Sequence, residues 1–144
     1  MAITREDLIG GWKLVSWEVR YGDNRDKSFP FGDDACGQLI YGRSGCMSAA
    51  ISRPGRPPLS TANLRRAPEA EKAAAFDSYF HYAGTWKIDG EHVIHQVSLS
   101  LNPAFVGTDQ VRLMELQGDQ LTLSAMDSGP GGVERRHCLV WKRV

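Results

Sequence analysis

Eight short runs rich in β-branched and aromatic residues, broken by Gly, Asp and Pro, point this chain to antiparallel β-structure. They span residues 12–21, 36–41, 46–52, 84–89, 91–100, 110–116, 120–126 and 133–143. Gly42-Arg43-Ser44-Gly45 and Asp89-Gly90 separate two pairs of runs as hairpin turns, and Gln117-Gly118-Asp119 separates a third. Ser128-Gly129-Pro130-Gly131-Gly132 makes a flexible loop before the last run. Eight antiparallel strands are enough to close a barrel that holds one small ligand.

One segment departs from this pattern. Pro68 to Tyr82 reads as a helix, with Pro68 suited to the first turn, Glu69 and Glu71 to the N-terminus, and an alanine-rich centre. Ala73, Phe76, Tyr79 and Phe80 fall on one face at helical spacing. The expected fold is therefore all-β, an eight-stranded antiparallel barrel with one helix inserted between the third and fourth strands. The helix would cover a barrel end or flank, after a surface loop or flap at 53–67. At 144 residues, with no internal repeat or boundary signal, residues 1–144 read as one domain.

Alternation within hairpins assigns the faces. With Asp89-Gly90 as a two-residue turn, Trp86 opposes Val93 and Gly84 opposes His95. One face then holds Trp86, Ile88, Val93, His95, Val97 and Leu99, and its apolar character marks it as the inside. Around Gly118, Leu116 opposes Leu121, which groups Arg112, Met114, Leu116, Leu121, Leu123 and Ala125. Pairing Val97 with Arg112 leaves His95 diagonal to Arg112 in a dry interior. A buried arginine needs a partner, here Glu18, a water cluster or an anionic ligand group. His95 is either a hydrogen-bonded core histidine or an acid/base group.

Other chemistries find less support. His92 and His95 face opposite sides of one strand, and His81 and His137 are isolated, so no metal site is expected. There is no HExxH, Gly-rich phosphate loop or GxSxG motif, and no cofactor is expected. Seventeen basic residues balance seventeen acidic ones, which argues against nucleic acid or an anionic membrane as partner. Cys36, Cys46 and Cys138 are odd in number and lack CxxC spacing. The turn at 42–45 sets Tyr41 opposite Cys46 and Cys36 opposite Ile51, so Cys36 and Cys46 are too far apart to bridge. With no apolar leader at Met1 to Leu8, the expected setting is reducing and cytoplasmic. Oligomeric state is not readable from the chain.

Several stretches carry a family resemblance. Gly10-Gly11-Trp12-Lys13-Leu14-Val15-Ser16 resembles the opening of the bacterial lipocalin-like domain family, in the calycin superfamily. Phe29-Pro30-Phe31-Gly32, Gly37-Gln38-Leu39-Ile40-Tyr41 and the series from His95 through Asn102-Pro103 to Gln110-Val111-Arg112 are similar to it as well. The resemblance implies that Trp12 packs at the closed end beneath an arginine of the last strand, here Arg143. It also poses a conflict in the first strand. Trp12 inside brings Leu14, Ser16 and Glu18 with it, whereas Val15, Trp17, Val19 and Tyr21 are the more apolar set. A bulge near Ser16 would reconcile them.

Two functions follow as expectations, with a weaker third. The first is an intracellular binding barrel for a small apolar or aromatic molecule with a polar or anionic head. Trp86, Ile88, Val97, Leu99, Met114 and Leu123 would line its pocket, with Tyr41, Phe76 and Tyr79; His95 and Arg112 would orient the head. The second is a cofactor-independent isomerase, cyclase or lyase, with His95 as proton carrier and Arg112 holding an oxyanion. The third is a subunit or protein-interaction module.

Overall fold

The computed structural model describes residues 2–144. A single turn of helix, α1 (Arg5–Leu8), precedes eight strands. These are β1 (Gly10–Tyr21), β2 (Cys36–Tyr41), β3 (Cys46–Ser52), β4 (Tyr79–Asp89), β5 (His92–Ser100), β6 (Asp109–Gln117), β7 (Gln120–Ser128) and β8 (Glu134–Arg143). Neighbours pair antiparallel all the way round and β8 returns to β1, closing the barrel. Closure satisfies both edges, which an open sheet would leave as unpaired donors and acceptors.

A β-bulge sets the facing of β1. Leu14 pairs with Trp141 and Ser16 with Val140, so Val15 is the extra residue and lies half-exposed. Trp12 and Leu14 face inward before it, and Val19 is buried after it. The bulge lies where the two apolar sets of β1 required one.

The end beside Trp12 is closed. α1 begins with a capping box in which Thr4 and Asp7 satisfy each other's backbone N–H groups, and it plugs the barrel with fully buried Leu8. Trp12 Nε1 donates to the Leu8 carbonyl at 2.9 Å. The Arg143 guanidinium stacks 4.2 Å over the Trp12 ring and donates to the carbonyls of Ile9 and Asp7. Trp86 extends this end, its ring packing 4.7 Å from that of Tyr41 with the Arg5 guanidinium 4.3 Å over it.

The inserted helix α2 (Glu69–Asp77) is shorter than the expected Pro68–Tyr82. Ser78 stops it by returning its hydroxyl to the Ala74 and Ala75 carbonyls, while Arg56 also binds the Ala75 carbonyl. Residues 79–82 then pair with β3 instead of extending the helix. The helix lies outside the barrel with no buried residue.

Two hairpins differ in register from expectation. Between β4 and β5 the loop is Gly90-Glu91, with Asp89 opposite His92 and Trp86 opposite His95. Glycine as first loop residue, at φ +61, suits a tight hairpin turn. Each partner moves by two positions, so every face is preserved. Between β2 and β3, Tyr41 opposes Met47 and Cys36 opposes Ser52. That shift is by one residue, because Gly42 N–H bonds to the Cys46 carbonyl and so sets Gly42 opposite Cys46 around a 43–45 loop. Met47, Ala49 and Ile51 are thereby turned inward and the thiols of Cys36 and Cys46 stay free and exposed.

Candidate functional site

The half of the barrel remote from Trp12 holds a partly enclosed cavity of about 320 Å³. Leu39, Ala49 and Ile51 form one wall, and Leu123, Ala125, Leu139 and Trp141 form another. Trp17, Phe80 and Phe105 supply aromatic surface, with Phe80 6.4 Å from Trp17 and 6.1 Å from Phe105 between ring centroids. Tyr82, His95, Gln110, Arg112, Asp127 and His137 add polar groups. The size lies at the small end of small-molecule sites.

His95 is buried, with 2% of its surface exposed, and each ring nitrogen meets a tyrosine. Tyr41 Oη lies 2.6 Å from Nε2 and Tyr82 Oη 2.7 Å from Nδ1. Burial, assisted by the charge of Arg112, pushes the His95 pKa down to about 3, so the imidazole is neutral. Burial raises the phenol pKa values of Tyr41 and Tyr82, keeping both protonated.

This arrangement predicts a pH dependence of stability. Unfolded, His95 takes up a proton near its ordinary pKa of about 6.5, while folded it does not until about 3. The unfolded state therefore binds more protons between these values, and stability falls as pH drops below about 6.5. Urea unfolding at pH 5 should show about 2 kcal/mol less stability than at pH 7 from this group. In His95→Gln that slope should largely disappear. The carboxylates of Glu18 and Asp127, whose pKa values are lowered by Lys27 and Arg135 respectively, lose their contribution only at lower pH.

Arg112 donates to the Val111 carbonyl at 2.9 Å and to Gln110 Oε1 at 3.3 Å. Among the described residues no carboxylate pairs with it. Glu18, one expected partner, faces away and pairs with Arg20 and Lys27. Val93, not Val97, opposes Arg112, and Gln110 opposes His95, so Arg112 remains diagonal to His95. On another stretch of the lining, Trp17 Nε1 donates to His137 Nδ1 at 3.2 Å, leaving His137 Nε2–H to donate to Asp127 at 3.2 Å. Arg135 grips the same Asp127 with two bonds of 2.8 Å.

The residues expected at the site fall into three groups. His95, Arg112 and Leu123 line the cavity. Tyr41, Trp86, Val97 and Met114 are buried core, and Ile88 packs against them, without lining it. Leu99, Phe76 and Tyr79 are elsewhere. Leu99 is 66% exposed because a bulge at Ser98 lets Gly84 pair with Val97 and Ala83 with Leu99, resetting the alternation. Phe76 is half-exposed on α2. Tyr79 stacks on His81 beneath Arg56. Tyr82 was not singled out, although Phe80, Tyr82, Gly84 and Trp86 alternate once residues 79–82 are read as strand. His137, Asp127 and Phe105 reach the cavity from β8, β7 and a 3-10 turn.

Among the described residues no helix is long and apolar enough to cross a membrane, and no group of His, Cys, Asp or Glu is placed to hold a metal ion.

Residues 9–144 of this closed barrel match the lipocalin-like domain family in sequence, and the chain belongs to that family. It is also 31% identical over 107 residues to the 4'-hydroxy-3'-methoxypropiophenone carrier protein ppsC of Aspergillus oryzae. That match covers 68% of this chain and 96% of the fungal protein.

Proposed function

We propose that this protein is a carrier or binding barrel for a small, largely apolar or aromatic molecule with a polar head. The observation that carries the reading is the cavity itself, aromatic and aliphatic over most of its lining and polar where Tyr82, His95 and Arg112 meet. An aromatic body would lie among Ile51, Phe80, Phe105 and Leu139, and an oxygen of its head would meet Arg112. The fungal relative's named cargo has such a form: one ring bearing a hydroxyl, a methoxy and a propionyl group.

Because Trp17 and Trp141 line the cavity, titration with 4'-hydroxy-3'-methoxypropiophenone should quench tryptophan fluorescence saturably. Arg112→Leu should weaken that binding by about tenfold to a hundredfold, the value of a hydrogen bond to a charged group. Quenching that never saturates would count against the reading, as would an unchanged affinity in Arg112→Leu.

The unbroken Tyr41–His95–Tyr82 chain supports a second reading, proton transfer on a bound ketone. It predicts protein-dependent exchange of the ketone α-hydrogens for deuterium in heavy water, lost in Tyr82→Phe. Exchange no faster than in buffer leaves binding alone. A cavity, in place of an interior filled by side chains, favours these two readings over an interaction module using the helix or an exposed edge.

A further inference from the structure

We infer that the polar end of the cavity is a hydrogen-bond donor site, with the Tyr82 hydroxyl as its principal donor, selecting ligands by an acceptor oxygen such as a ketone. The inference rests on the binding reading and sharpens it.

Proton bookkeeping around His95 carries the argument. Tyr41, His95 and Tyr82 hold three exchangeable protons between them, because the imidazole is neutral and both phenols are protonated. Only two hydrogen bonds join the three groups, Tyr41 Oη to Nε2 and Tyr82 Oη to Nδ1. One imidazole nitrogen accepts a phenolic proton and the other donates its own to the second phenol. That second phenol keeps a proton aimed elsewhere.

The two tyrosines are not equivalent in where such a proton would go. Tyr41 is 1% exposed, packs against Trp86, does not line the cavity, and makes no other side-chain hydrogen bond. A spare proton there would be buried without an acceptor, at a cost of about 1–3 kcal/mol. Tyr82 lines the cavity. The chain therefore runs one way: Tyr41 O–H donates to Nε2, Nδ1–H donates to Tyr82 Oη, and the Tyr82 proton is free for a ligand. Tyr41 and His95 are positioning residues in this account, since they orient the Tyr82 proton without touching ligand.

A second observation points the same way. Trp141 Nε1 is the buried side-chain nitrogen or oxygen without a hydrogen-bond partner among the described residues, and Trp141 also lines the cavity. An indole N–H only donates, and so does the Arg112 guanidinium. A buried donor without a partner is uncommon, and a bound acceptor would satisfy the Trp141 N–H.

The test has two arms. In the ligand-free protein, imidazole ¹⁵N shifts should show His95 protonated at Nδ1 at neutral pH. Protonation at Nε2 overturns the inference whatever the protein binds. In the second arm, 4'-hydroxy-3'-methoxypropiophenone is compared with its analogue carrying a methylene in place of the carbonyl. Wild type should favour the ketone by about tenfold or more, and Tyr82→Phe should abolish that preference while binding the analogue as before. Tyr41→Phe should reduce the preference too, because Tyr82 then turns its proton to His95. Equal affinity of wild type for both compounds, or an undiminished preference in Tyr82→Phe, overturns the donor site. If neither compound binds, the binding reading fails, and the tautomer measurement still decides the proton order.

Discussion

Trp12→Ala should destabilise the barrel by about 3–5 kcal/mol, the range for removing a buried aromatic side chain. Trp12 is completely buried and forms the floor on which the closed end is assembled. Its removal empties the space between the strands and leaves the Leu8 carbonyl without its indole donor. It also takes away the ring beneath the Arg143 guanidinium, so the cation–π contact is lost with the packing. α1 would dock less firmly, since Leu8 is held in the same cluster. The measurement is the urea unfolding midpoint with the slope checked for two-state behaviour. A loss below about 1 kcal/mol would mean that the plug folds independently of Trp12. Trp12 does not line the cavity, so ligand affinity of the folded variant should stay near that of wild type.

The second large effect belongs to Gly84. A Cβ built there would lie 1.9 Å from the Gln96 carbonyl oxygen and 2.9 Å from its carbon, both backbone atoms that cannot swing aside. Gly84 sits where β4 meets the Ser98 bulge of β5, and the close approach of the two strands is possible because glycine has no side chain. Gly84→Ala should therefore force β4 and β5 apart and cost about 3 kcal/mol, the upper part of the overpacking range. The site should feel it as well. Tyr82 lies two residues before Gly84 on β4, and His95 two residues before Val97, the partner of Gly84 on β5. Separation of the strands would lengthen the Tyr82–His95 hydrogen bond. Chemical denaturation reads the first consequence and the His95 ¹⁵N shifts the second. Wild-type stability in Gly84→Ala would show that the strand contact yields more easily than its geometry implies.

Much of the fold was legible because local signals and global closure agreed. Eight strand runs and the turn glycines emerged from residue type, and the inward facing of Trp86 and His95 from period-two alternation. The conflict within β1 even located its bulge, since no unbroken strand brings both Trp12 and Val19 inside. The same rule failed at β5. Leu99 matches the apolar face by count, but the Ser98 bulge, which leaves no hydrophobic signature, turns it outward. At β2–β3 a turn one residue shorter than expected, with Gly42 opposite Cys46, reversed the facing of β3 relative to Tyr41.

The site was less legible for a different reason. Inward-facing residues near the plug and near the cavity share one pattern, yet Trp86, Val97 and Met114 fill the core while Leu123 faces open space. Whether an inward position is packed or empty depends on strand tilt and on side chains arriving from distant strands. Tyr82 was hidden because Ala73, Phe76, Tyr79 and Phe80 share a helical spacing that carried the expected helix past Ser78. His137 and Asp127 become neighbours through the β7–β8 pairing and are unremarkable alone. His95 and Arg112 were found because a polar group on an apolar face stands out in any register that preserves parity.

The central claim is that this cavity holds an aromatic molecule by its oxygen, and a crystal structure grown with 4'-hydroxy-3'-methoxypropiophenone tests it most directly. The ring should lie among Ile51, Phe80, Phe105 and Leu139, with a ketone oxygen within hydrogen-bonding distance of Tyr82 Oη and beside Arg112. A saturated complex with the ligand outside the barrel, or with its oxygen turned away from Tyr82 and Arg112, would contradict it.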